Sequence, residues 1–241
     1  MPGMRVYQVR VMIQVKHLSH SFGRYWALKN ISFSLDKGDF LFLTGPSGAG
    51  KTTLMRILHG SLPVQRGMAS IAGFDLKSLP EKRLYHLRRQ VAIVFQDFKI
   101  LPNETVWDNV ALPLHVRGMV PGQLQKRVRA VLRSLRLDNK SWCLCREISG
   151  GEQQRVAVAR AVVVNPKVLL ADEPTGNLDK KLSMQLVQVF RQFHLHGTTV
   201  VLATHNEELI KSLPGAKILC LREGAEAGCN WGSAEDGICE L

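Results

Sequence analysis

Gly45-Pro46-Ser47-Gly48-Ala49-Gly50-Lys51-Thr52 has the residue types and spacing of a phosphate cradle, glycine and four intervening residues closed by Gly-Lys-Thr. Glycines let the backbone curl until successive N–H groups point inward, beside a helix N-terminus whose dipole favours anions. Lys51 then supplies a point charge to β- and γ-phosphates, the Thr52 hydroxyl is a ligand for Mg²⁺, and Thr53 follows in the first helical turn. A second set of acids suits the same chemistry. Val168-Leu169-Leu170-Ala171 is an apolar run ending in Asp172-Glu173, so both carboxylates arrive at the sheet edge where ligands bind. Asp172 is expected to hold the metal shell. Glu173, one residue further, is placed to polarise an attacking water, a contribution of typically ~10²–10⁴-fold. The bland alternatives are a Gly-rich turn and a solvated strand end, and the elements on either side weigh against both.

Those elements are legible from periodicity. Phe40-Leu41-Phe42-Leu43 is a fully apolar strand of the kind covered on both faces, and it leads directly into the loop. Leu54, Ile57 and Leu58 put one apolar face on the helix that follows. Val9, Val11, Ile13 and Val15 alternate with polar residues, as do Ile31, Phe33 and Leu35, so both runs read as half-buried strands. From Gln123 to Leu137, Leu124, Val128, Val131, Leu132 and Leu135 fall at helical spacing, with Lys126, Arg127, Arg129, Arg133 and Arg136 between them. Without interleaved aromatics, that basic face reads as a solvated helix surface and not as a base-stacking one. Strands return at 168–170 and 199–202, separated by a helix with Leu182, Leu186, Val189, Phe190 and Phe193 on its inner side. Strands alternating with helices predict an α/β fold with a largely parallel sheet. The tail from Glu223 is expected to be weakly ordered, and Met1 or Met12 can each begin the protein, leaving 1–11 as an upstream extension.

With 241 residues and 45% hydrophobic content, the chain can bury one substantial core. A formal net charge of +12 suits an anionic surface such as lipid headgroups, nucleic acid or nucleotide phosphates. Its five cysteines, Cys143, Cys145, Cys220, Cys229 and Cys239, have no C-x-x-C pair, which argues against a disulfide framework or a zinc site and for a reducing compartment. No apolar run approaches the ~18 residues of a membrane span, so the chain is expected on the cytoplasmic side, meeting a membrane only through a partner or a surface contact.

Ile148-Ser149-Gly150-Gly151-Glu152-Gln153-Gln154-Arg155 makes the reading specific. By chemistry alone, Ser-Gly-Gly is a helix cap with glycine punctuation. The segment also resembles the signature of the ABC ATPases, with Ile148 where leucine is commoner. That resemblance, covering roughly residues 12–220, implies a P-loop NTPase (RecA-like) core, an antiparallel β-subdomain and a helical subdomain at 96–158, with the core at 12–95 and 159–222. It implies ATP and Mg²⁺ as ligands and a head-to-tail homodimer, in which Ser149, Gly150, Gly151 and Glu152 of one subunit close over the nucleotide of the other. Gln96 looks like the glutamine that senses Mg²⁺ and the membrane partner, His205 like the histidine that contacts the γ-phosphate, and Asp179 closes a segment similar to the family's D-loop. Phe22 falls where the family stacks an aromatic on adenine, with Tyr25 and Trp26 close by.

Gln96-Asp97 and the run Thr105–Leu114 further resemble the cell-division (FtsE-type) branch. What that implies is an integral membrane partner of the FtsX type relaying ATP-driven movement to cell-wall hydrolases, peripherally at the inner face of the plasma membrane and at the division site. Lipoprotein-release (LolD-like) and macrolide-export (MacB-like) ATPases are the alternative. A DNA-associated member is disfavoured, because neither sustained heptads nor zinc-binding cysteine pairs occur. The docking surface is expected after Gln96, at Phe98, Ile100, Leu101 and Trp107, with neighbouring basic side chains available to anionic lipid.

Overall fold

The computed structural model describes residues 11–176 and 178–231. The possible extension before Met12 lies largely outside these residues, as does Val9.

Strands β1 (Val11–Phe22) and β2 (Tyr25–Asp36) form an antiparallel hairpin, and β3 (Phe40–Thr44) begins the central sheet. Helix α1 (Lys51–Leu58) follows the Gly-rich loop, and β4 (Arg66–Ile71) with β5 (Phe74–Asp75) returns to the hairpin. The resulting four-stranded sheet runs β2-β1-β4-β5 and is antiparallel throughout. β4 and β5 are not legible in the sequence, since their six- and two-residue runs alternate only weakly. After the short α2 (Leu84–Arg88) come β6 (Val91–Val94), α3 (Val106–Val116), α4 (Pro121–Ser134) and α5 (Gly150–Val162). Next are β7 (Val168–Asp172), α6 (Lys180–Leu195), β8 (Thr199–Ala203), α7 (Glu207–Lys211), β9 (Lys217–Arg222) and β10 (Ala225–Cys229).

The larger sheet has the order β10-β9-β3-β8-β7-β6, parallel except for β10 at its edge. Alternation along β3 divides the core. Leu41 and Leu43 face the antiparallel sheet and α1, whereas Phe40 and Phe42 face the helices. Burial on both faces explains why β3, β7 and β8 are buried along their whole length and apolar except at one end, with no solvent side. Residues 96–158 contribute helices and turns, with a single bridge pairing Thr105 and Leu144. In α4 the buried residues are Leu124, Val128 and Leu132, and the basic positions between them stand outward.

One expectation is overturned. Residues 225–229 are not a loose tail but the edge strand β10. Arg222 pairs with Ala225 across a two-residue turn, Glu223-Gly224, with φ values of 51° and 80°. Two consecutive positive-φ residues match the right-handed twist of a hairpin, and the Gly224 carbonyl accepts from Lys29 N–H at 2.6 Å. The expected looseness of 232–241 concerns residues outside those described.

Candidate active site

The loop between β3 and α1 works because its glycines occupy conformations closed to other residues. Gly45 has φ 128° and Gly50 φ 103°; a Cβ on them would lie 2.1 Å from the Leu221 carbonyl oxygen and 2.4 Å from the Ala27 carbonyl oxygen. The backbone is thus wedged between β9 and β2, and Gly50 opens α1 as its N-cap. Lys51, 7% exposed, folds back over the loop, donating from Nζ to the Gly45 oxygen at 2.7 Å and the Pro46 oxygen at 3.0 Å.

Beside the loop is a cleft of about 470 Å³. Ser47, Gly48, Ala49, Gly50, Lys51, Thr52 and Thr53 form its floor, with Gln96, Glu173, Gly176 and His205 on one side. Phe22 and Tyr25 stand at its mouth, 50% and 58% exposed. The Tyr25 hydroxyl donates to the Gly48 oxygen at 3.2 Å, whereas Trp26 lies under the Arg66 guanidinium. Two exposed aromatic faces are therefore available to a base, Phe22 as expected and Tyr25 beside it. Gly45, Pro46 and Asp172 do not line the cleft: Asp172 is buried, and Pro46 is exposed in a separate hollow with Arg24, Trp26 and Lys29.

The acid pair divides by environment. Asp172 ends β7 at 2% exposure. Burial pushes its carboxyl above the usual carboxylate range, a hydrogen bond from the Thr52 side chain opposes this, and the Glu173 charge adds to the rise. Its Oδ1 is buried with no hydrogen-bond partner among the described residues. An unpartnered acceptor next to a threonine hydroxyl is a donor set that fits a hard divalent cation. Glu173 turns out of the strand at φ 47°, a left-handed conformation costly for a non-glycine residue. Its carboxylate meets His205 Nδ1 at 3.1 and 3.2 Å and Lys51 Nζ at 3.7 Å. β7, β8 and the loop helix α1 thus converge on one carboxylate.

Ser149, Gly150, Gly151, Glu152 and Asp179 do not line the cleft. Ser149 N-caps α5 in a reciprocal box: its Oγ accepts from Glu152 N–H at 3.3 Å, and Glu152 Oε2 accepts from Ser149 N–H at 2.8 Å. That backbone hydrogen bond is the main reason the Glu152 carboxyl sits below its usual value. Ser149 and Gly150 are exposed, so the helix end faces outward. Asp179 caps α6 through Leu182 N–H at 2.7 Å.

Of the expected docking residues, Phe98, Ile100 and Trp107 pack partly buried against the helical core, whereas the Leu101 side chain is exposed, with its backbone N–H and carbonyl fastened by the Asn109 side chain. The open apolar groove, about 750 Å³, lies on the other side of β6 between α2 and α3. Tyr85, Phe95, Leu112, Pro113 and Val116 line it, with Arg88, Arg89 and Arg117 around them. Fixing of α3 by the fully buried Asn109 turns Leu112 and Val116 outward, which the run of residue types did not reveal. Among the described residues no helix is long and apolar enough to cross a membrane.

Known proteins resemble this chain over most of its length. The ABC transporter family matches residues 28–176. The cell division ATP-binding protein FtsE of Streptococcus pneumoniae (serotype 2, strain D39) is 44% identical over 78% of this chain and 81% of its own. FtsE of Escherichia coli K12 is 42% identical over 88% of this chain and 96% of its own. Among solved structures, a dimeric ATP-binding cassette in a post-hydrolysis state, bound to ADP and Pi, superposes with a TM-score of 0.84 at 31% identity, covering 90% of this chain and 97% of that one.

Proposed function

From the premise that this chain belongs to the ABC transporter family, we propose that it is the ATP-hydrolysing subunit of an FtsEX-type complex, a homodimer driving an integral membrane partner of the FtsX type. The chain is an ABC-type ATPase. The observation that carries the catalytic reading is the Glu173 carboxylate, on a residue of left-handed backbone, held between Lys51 and His205 in the cleft lining.

In this reading the loop N–H groups from Gly48 to Thr52 bind the β-phosphate, and Lys51 moves from the Gly45 and Pro46 carbonyls to the β- and γ-oxygens. Glu173 accepts a proton from water aligned behind the γ-phosphate, and His205 steadies that phosphate while holding the carboxylate. Thr52 and Asp172 would hold Mg²⁺, with Gln96 at the edge of its shell. The ion supplies charge neutralisation of the phosphate oxygens. Phe22 and Tyr25 stack the adenine, worth roughly 1–3 kcal/mol.

The outward-facing Ser149–Glu152 helix end and Asp179 support the second half of the reading. A helix N-terminus is an anion site, and none of these residues lines the cleft that would hold the nucleotide of their own chain. They close over the partner subunit's ATP, consistent with the dimeric cassette that this chain resembles. The groove between α2 and α3, starting one residue from Gln96, is the surface offered to the membrane partner, at the cytoplasmic face of the plasma membrane and at the division site. Its arginines also suit anionic headgroups, each worth about 1 kcal/mol near such a surface. Affinity purification from native membranes tests the assignment. Recovery of an FtsX-type protein, lost on Leu112→Asp, is the expected outcome. Recovery of a lipoprotein-release or drug-export permease instead overturns it.

A further inference from the structure

Gln154 has no part in the chemistry described so far, yet its surroundings are unusual. It lies on α5 with 0% exposure. Its Nε2 donates to the carbonyl oxygen of Glu173 at 3.5 Å, the long end of the hydrogen-bond range. Its Oε1 is buried with no partner among the described residues. The amide can only face this way, because the opposite orientation would set one carbonyl oxygen against another. A buried amide that makes one long bond and leaves its oxygen orphaned is a poor structural plug.

The group it touches is the backbone of the hydrolytic carboxylate. Glu173 N–H donates to the Ala203 oxygen at 3.1 Å, and the Glu173 oxygen also accepts Gly176 N–H at 3.2 Å. The left-handed peptide is therefore held by β8, by its own turn and by α5, the last through the Gln154 side chain. Of these anchors, only the α5 contact is long enough to shorten. Gln154 stands five residues beyond Ser149, about 7.5 Å along the same rigid helix. A displacement of the α5 N-terminus is thus delivered to the peptide that aims the Glu173 side chain.

We propose that Gln154 is a positioning residue that couples the Ser149 end of α5 to Glu173, so that seating one nucleotide on the signature helix aligns the carboxylate serving the other. This rests on the roles given above to Ser149 and Glu173. Bonds to catalytic groups are often long before the reactive complex forms and tighten within it; the 3.5 Å contact is of that kind. The result is communication between the two sites of the dimer through one buried side chain.

The test is Gln154→Met, which keeps the volume but removes both the donor and the orphaned oxygen. Steady-state ATP hydrolysis, ATP affinity and melting temperature are measured together, in the wild-type and Glu173→Gln backgrounds. The expected pattern is a kcat roughly tenfold lower, with KM for ATP unchanged and the melting temperature equal or higher. In the Glu173→Gln background the same substitution should remove no further rate. Gln154→Leu, which loses the same donor in a different shape, should reproduce the pattern. Unchanged kcat, a raised KM at constant kcat, or an equal loss in both backgrounds overturns the proposal. Near-normal turnover by Glu173→Gln alone overturns the assignment of Glu173 as the base and the coupling with it, which separates that failure from a failure at Gln154.

Discussion

Asp172→Asn should make the nucleotide-free protein more stable at neutral pH and the Mg²⁺-ATP-bound protein less so. The carboxyl is 2% exposed, and its Oδ1 has no partner among the described residues. Leaving a buried acceptor unsatisfied costs about 1–3 kcal/mol, more when it is charged. Burial raises the Asp172 carboxyl above its ordinary value. The folded state therefore holds that proton more tightly than the unfolded chain, and stability falls as pH rises between the two values. The penalty is fully present above the folded-state value and disappears once pH falls below the ordinary aspartate range near ~4. A neutral asparagine carries no such term, so its advantage of about 1–3 kcal/mol belongs to neutral pH and shrinks with acid. Urea unfolding at a series of pH values measures it. Saturating Mg²⁺-ATP should reverse the order, because a ligand at 100 times its Kd adds about 2.7 kcal/mol and the variant binds the metal complex poorly. An asparagine protein less stable than wild type at neutral pH, or one gaining as much from Mg²⁺-ATP, would refute the reasoning.

Gly50→Ala should cost about 2–5 kcal/mol of unfolding free energy, from a left-handed backbone and overpacking, since its Cβ would sit 2.4 Å from the Ala27 oxygen. Gly48→Ala, with φ 79° but open space around it, should lose only the conformational part; denaturant midpoints of the two variants check the difference. Lys51→Ala should weaken ATP binding roughly 10- to 100-fold, the equivalent of one or two charge-assisted hydrogen bonds, as titration with a fluorescent ATP analogue would record. Unchanged affinity would remove Lys51 from the phosphates.

What the sequence disclosed was what is contiguous. Gly45–Thr52, Val168–Glu173 and the apolar β3 run are local patterns whose chemistry needs no knowledge of the fold. The Glu223-Gly224 turn was equally local, but the Gly-Ala-Glu composition around it masked a hairpin. Helix α3 was harder: Pro113 lies inside it, and Val106, Val110, Ala111 and Leu114 share its buried side with Asn109. Only the packed structure shows that Leu112 and Val116 point out while Asn109 pins Leu101. The long-range contacts were beyond reach. Gln154 and Glu173 are 19 residues apart and meet because α5 packs beside the end of β7, an approach that no spacing rule predicts. Glu173 and His205 meet across 32 residues because β7 and β8 are parallel neighbours in register, Asp172 opposite Ala203. The sequence assigns Glu173 to the attacking water and His205 to the γ-phosphate, and only the sheet register brings the two side chains together.

The central claim is that two copies of this chain enclose ATP between the phosphate loop of one and Ser149–Glu152 of the other, with Glu173 as the group that ends the enclosed state. Light scattering of the Glu173→Gln protein on a sizing column, with and without Mg²⁺-ATP, measures this directly. The account predicts a single-chain mass without nucleotide and a stable two-chain mass with ATP, abolished by Ser149→Arg. A Glu173→Gln protein that stays single-chain in ATP, or hydrolyses it at the wild-type rate, would contradict the account.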